Sequence, residues 1–244
     1  MSAAADRSAQ QAQLWLELPP ISPLATARLL VFLHGAGSSP EAFAPIAVAW
    51  QLKFPGARVI IMQGLQRAAD RSGSDWFDAT GPMASRREQI TAAVRELTVR
   101  IAALQSQFQI DAQHTMLIGF SQGATMVLEA ARQSPAPASI VVAYAARLAR
   151  PILPDEQVDA TVHLLHGEFD TWVPLPFAEQ AHRGLRAIGA DVTLDVIESA
   201  SHTIDADMLI VSTTRAMQTV FRGRRRRERA IALAPALPPS STLH

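Results

Sequence analysis

Short, unbroken apolar runs recur along this chain, and each stops at a glycine or a polar loop: "ARLLVFLHG" (27–35), "ARVIIMQG" (57–64), "TMLIGF" (115–120), "SIVVAYAA" (139–146) and "TVHLLHG" (161–167). A strand with one wet face alternates apolar and polar residues. A strand covered on both faces reads as one continuous run. The short alternating "LWLEL" (14–18) and "VTLDVIES" (192–199) add two more strands. Helical periodicity fills the intervals at 39–54, 86–107, 122–133, 175–188 and 203–221. Ser39 is placed to cap the first helix and Pro40 to occupy its first turn. Ser85 and Glu88 have the spacing of a capping box at the start of the longest. Strands alternating with helices predict an α/β fold, a mostly parallel central sheet with helices on both faces.

A length of 244 residues suits one such domain. The expected division is a flexible N-terminus (1–13), a single domain (14–221) and a basic, disordered C-terminal tail (222–244). With no cysteine, disulfides, thiolate metal sites and a cysteine nucleophile are excluded. The polar, alanine-rich start lacks the basic and apolar regions of a signal peptide. No apolar run reaches the roughly eighteen residues of a membrane span, so a cytoplasmic protein is expected. "RGRRRRER" (222–229) carries six arginines against one glutamate, a balance of +5 in a chain of zero formal net charge. Such a cluster can attract nucleic acid or anionic lipid. It lies beyond the last periodic segment and precedes "APALPPSSTLH", which favours a solvated tail over a nucleic-acid contact.

In a parallel sheet the C-terminal strand ends form the rim where ligands bind. Three reactive residues fall just beyond such ends, in the order Ser121, Asp170, His202. Ser121 sits in "GFSQG" (119–123), between a strand and a helix. This G-x-S-x-G context describes a strained turn that lifts a serine hydroxyl clear of the sheet. The competing reading is a serine that only caps the helix. His202, in the short loop "ESASHTID", could remove the serine proton and then protonate a leaving group. Asp170, in "HGEFDTWVP", would hold the imidazole tautomer. Glu168 is its local competitor, and Asp205 fits better as a support for the first turn of the last helix. Glycines in "LHGAGSSP" (33–40) let backbone N–H groups face the site. The N–H groups of Ala36 and Gln122 are the natural oxyanion donors. A metal site built from His163, His166, Asp170 and His202 is disfavoured, because residues three apart on a strand face opposite sides.

"LHGAGSSPEAF", "WFD", "IGFSQGA", "HGEFDTWVP" and "SHTID" together resemble the α/β-hydrolase fold. Within it they resemble the phospholipase/carboxylesterase branch that includes acyl-protein thioesterases, and small bacterial esterases of that branch share stretches like "GADVTLDVIE". The resemblance implies a serine esterase acting on short acyl esters, a small-molecule substrate, and no metal or organic cofactor. It maps a triad onto Ser121, Asp170 and His202, and places Trp76 and Phe77 at the border of an acyl pocket. The family usually has glycine before the histidine, where this chain has Ser201. An acyl-thioesterase or lysophospholipase would use the same triad. A noncatalytic binding protein on this scaffold is the alternative of another class. Only 147–160 joins two strands where many such hydrolases insert a cap, so no large cap domain is expected.

Overall fold

The computed structural model describes residues 15–22, 27–70, 73–80 and 82–233. The chain runs β1 (Trp15–Leu18), β2 (Arg28–Leu33), α1 (Pro40–Lys53), β3 (Ala57–Met62), then a two-stranded ribbon of β4 (Gln66–Arg67) and β5 (Ser74–Asp75). There follow α2 (Met83–Phe108), a 3₁₀ turn (Ala112–His114), β6 (Thr115–Phe120), α3 (Gln122–Ala131) and β7 (Ile140–Tyr144). The last elements are β8 (Thr161–Gly167), α4 (Pro176–Ala187), β9 (Val192–Ile197) and α5 (Ala206–Leu233). The main sheet has seven strands in the order β1-β3-β2-β6-β7-β8-β9. Only β1 runs antiparallel to its neighbour. The six parallel strands therefore release their C-terminal ends along one edge.

The continuous apolar runs are explained by a core on each face. Leu29, Val31 and Leu33 of β2 join Ile60, Met62, Leu117, Val141 and Val162 beneath α2, α3 and α4. Leu30 and Phe32 turn the other way, with Val59, Ile61, Met116, Ile118 and Val142, against α1 and α5. Because a strand alternates faces residue by residue, a strand covered on both sides reads as an apolar run, as Leu29 to Leu33 does. All six of its residues are buried. A short polar chain ties the second layer together: Trp50 Nε1 donates to Tyr144 Oη (3.1 Å), which donates to Ser212 Oγ (2.5 Å).

Two local expectations need correction. The Ser85–Glu88 capping box does not form. α2 starts earlier, after Pro82, with no side-chain cap. Ser85 thus lies inside the first turn, where its hydroxyl accepts from the Gln89 carboxamide at 3.3 Å. The expected disordered tail at 222–244 is also revised, because α5 continues to Leu233. Arginine, glutamate and alanine are good helix formers, so an arginine-rich run can extend a helix already nucleated on the sheet. Residues 1–13 and 234–244 lie outside the described residues. Between β7 and β8 the chain forms no helix or strand. It is held down by Arg132, which reaches Glu129, Glu156 and the carbonyls of Arg150 and Pro151. No helix among the described residues is long and apolar enough to cross a membrane.

His163 and His166, both on β8, go to different partners. His163 bridges Thr193 of β9 (2.9 Å) and Thr219 of α5 (3.1 Å). Burial is the main cause that pushes its pKa down to about 4, with Arg215 and Arg222 adding to it against Asp191 and Asp195. A histidine kept neutral in the fold protonates more readily once unfolded, so its contribution is present above the unfolded value of about 6.5 and is lost as pH falls towards 4. Urea unfolding should show the wild type losing roughly 2 kcal/mol more between pH 7 and pH 5 than His163→Gln.

Candidate active site

Ser121 has φ 55° and ψ −111°, a conformation rarely adopted by residues other than glycine. Neighbouring backbone forces it. A Cβ on Gly119 would lie 2.4 Å from the Gly123 carbonyl oxygen, and one on Gly123 would lie 2.2 Å from that of Leu33. Glycine at both places lets β6 turn at once into α3 while α3 presses on the end of β2. The turn is fastened by the Ser121 N–H, which donates to the Tyr144 carbonyl at 2.9 Å. Ser121 stands at the N-cap position of α3 but makes no side-chain cap bond. Its hydroxyl instead meets His202 Nε2 at 3.0 Å. Of the two readings of this serine, the capping one therefore fails.

His202 comes from the loop after β9, and Asp170 from the loop after β8. The two loops are stitched together by Glu168 N–H to Ile197 O (3.0 Å) and Phe169 N–H to Ala200 O (2.9 Å). With its proton on Nδ1, the imidazole donates to Asp170 Oδ2 at 2.7 Å. The Asp170 side chain is fully buried. Its Oδ1 accepts the N–H groups of Trp172 (2.9 Å) and Val173 (2.8 Å). His166 lies beneath, donating from Nε2 to Val173 O at 2.7 Å. Glu168 is exposed and faces Ser199 N at 3.5 Å instead. Asp205 Oδ1 accepts the Met208 N–H at 2.8 Å, a support for the first turn of α5. Ser201 is exposed, so the loop has room for a side chain there.

The turn 34–38 borders the same spot, since a Cβ on Gly35 would be 3.6 Å from Ser121 Cβ. Among the described residues, no acceptor takes the backbone N–H of Ala36 or of Gln122. The turn is held from behind by 74–76. Gly37 N–H donates to Asp75 Oδ1 (2.8 Å), Ser74 N–H to Ser38 O (2.9 Å), and Trp76 Nε1 to His34 O (2.9 Å). Ser74 Oγ is a buried hub that accepts from Gln63 (2.6 Å) and Gly64 N–H (2.9 Å) and reaches His34 Nε2 (3.2 Å). Burial lowers the His34 pKa, favouring the neutral ring. The Gln122 carboxamide completes the clamp, accepting Trp76 N–H (2.6 Å) and donating to Phe77 O (2.8 Å).

Trp76 and Phe77 pack into the core, and both also border a shallow surface cavity with Leu65 and Gln89. They are 2% and 3% exposed and anchor this clamp in the core. An aromatic pair in a loop can line a pocket or fill the core, and sequence cannot tell which. Their polar neighbours Ser74 and Asp75 hold the turn. Their signal was weak: small polar residues beside "WF". Two further rings lie at the imidazole. Phe120 lies 4.8 Å from His202 between centroids, and Trp172 lies 6.1 Å away and nearly parallel.

A model of the family described as Phospholipase/Carboxylesterase matches residues 22–214. The chain belongs to that family. Esterase YpfH of Escherichia coli (strain K12) is 36% identical over 180 residues, 73% of this chain and 77% of that protein. Among solved structures, esterase PE8 superposes with a TM-score of 0.76 at 28% identity, over 84% of this chain and 97% of its own. A Bacillus cereus carboxylesterase gives 0.71 at 15% identity, over 89% and 99%, a likeness of fold alone. The architecture is the α/β-hydrolase fold.

Trp76→Ala removes a buried indole and leaves the His34 carbonyl without its donor. It should cost roughly 3–5 kcal/mol of stability by chemical denaturation. A loss under about 1 kcal/mol would return Trp76 to the pocket.

Proposed function

We propose that the protein is a serine carboxylesterase that hydrolyses short-chain acyl esters through an acyl-enzyme. The observation that carries this reading is the hydroxyl of a strained Ser121, 3.0 Å from His202 Nε2, with Asp170 2.7 Å behind the same ring. Membership of the phospholipase/carboxylesterase family supports an ester as substrate, and the 36% identity to Esterase YpfH supports ester hydrolysis.

In this mechanism Ser121 Oγ attacks the ester carbonyl while its proton passes to His202 Nε2. Asp170 keeps the other ring nitrogen protonated and stabilises the imidazolium. The carbonyl oxygen gains charge and is received by the Ala36 and Gln122 N–H groups, the latter at the positive end of α3. A fixed donor of this kind is worth about 3–4 kcal/mol of barrier. The clamp of Asp75, Trp76 and Gln122 keeps both donors in place before substrate arrives. The tetrahedral intermediate collapses, the C–O bond breaks, and His202 gives its proton to the departing alcohol. Water, deprotonated by His202, then attacks the acyl-serine.

A fluorophosphonate should label Ser121, as located by mass spectrometry, and Ser121→Ala should lose the label. Ester turnover should fall at least about 10³-fold in that variant, and by about 10⁴-fold in Asp170→Asn, which disturbs the imidazole tautomer. Label on another residue, or turnover retained without Ser121, sinks the mechanism. Parallel assays with acyl-thioesters and lysophospholipids set the substrate class.

A further inference from the structure

Trp172 is 82% exposed, in a chain whose Trp50 and Trp76 are fully buried and whose Trp15 is partly buried. A single exposed apolar residue is ordinary on a protein surface. This one differs in three respects. Its ring lies 6.1 Å from the His202 imidazole, only 20° from parallel. Its backbone is fixed, because its N–H and that of Val173 both bind Asp170 Oδ1. Its neighbour in the same turn, Phe169, is also 61% exposed. An indole on a held backbone stands open beside the proton-transferring ring, with little of the described protein covering it.

The direction of the chemistry says which half of a substrate meets it. His202 Nε2 faces Ser121 Oγ at 3.0 Å. It must next deliver that proton to the alcohol oxygen as the C–O bond breaks. The alcohol therefore leaves on the imidazole side, whereas the carbonyl oxygen turns towards the Ala36 and Gln122 N–H groups. An indole stacked along the imidazole borders the alcohol, not the acyl chain. We infer that Trp172 forms an alcohol-side subsite that selects esters of aromatic or bulky apolar alcohols. Flat rings gain most from it, since offset stacking adds to simple burial. The inference rests on the serine-esterase reading above.

The test uses two ester series and the full-length protein. In one, acetate is fixed and the alcohol varies from ethyl through cyclohexylmethyl to benzyl. In the other, the alcohol is fixed and the acyl chain lengthens from acetyl to octanoyl. Trp172→Ala should reduce the benzyl-over-ethyl ratio of kcat/KM by about tenfold, and Trp172→Phe should keep most of it. The acyl-length profile should keep its shape. Because the side chain is exposed, the variants are expected to fold, and melting temperatures verify this. Equal losses across all alcohols and all acyl chains would mean that the ring only holds His202, and would overturn the inference. So would an unchanged benzyl-over-ethyl ratio, or a change in the acyl profile alone. Failure of the underlying reading looks different: hydrolysis would then persist in Ser121→Ala.

Discussion

Between the start of α3 and the end of β2 there is no room for a side chain: a Cβ on Gly123 would fall 2.2 Å from the Leu33 carbonyl oxygen. That close approach turns the chain from β6 into α3 within one residue and holds Ser121 at φ 55°. Strain of this kind costs on the order of 1–3 kcal/mol and persists only where surrounding structure over-determines it. Here the surroundings are two parallel strands and the apolar layers on both faces of the sheet. The hydroxyl stands free of the helix it begins, and the α3 N-terminus points at the place where negative charge would form.

The rim is organised in two halves around this turn. On one side, the loops after β8 and β9 are joined backbone to backbone, so Asp170 and His202 share one rigid unit. On the other, 34–38 is gripped by 74–77 and by the Gln122 side chain. Gln122 belongs to both, since its backbone begins α3 while its carboxamide holds Trp76 and Phe77. Positions set by backbone bonds and buried side chains do not have to be ordered when substrate binds, which is the advantage of preorganisation in acyl transfer.

Parallel strand direction explains why residues about eighty positions apart in sequence can meet. Every parallel strand ends on the same edge, so residues just past β6, β8 and β9 are neighbours whatever the length of helix between them. The strand starts gather in the same way on the opposite edge, where Arg28, Ser139, Thr161 and Asp191 border one cavity. His163 lies within β8 and serves only to tie β9 and α5 to it.

The sequence by itself determined the strand–helix alternation, the two-faced burial of β2, and the three residues that the sheet delivers to one rim. These follow from local pattern: continuous apolar runs, helical spacing, and glycines flanking a serine. It could not decide what a pair of aromatics does. Trp76 and Phe77 vanish into the core while Trp172, read only as part of a loop, stands in the open beside His202. Nor could it show Asp75 beneath Gly37, or α5 running on through the arginines to Leu233. Those outcomes depend on which distant surface each segment packs against. Burial is a property of the assembled layers, and periodicity in one stretch of chain carries no record of its partner.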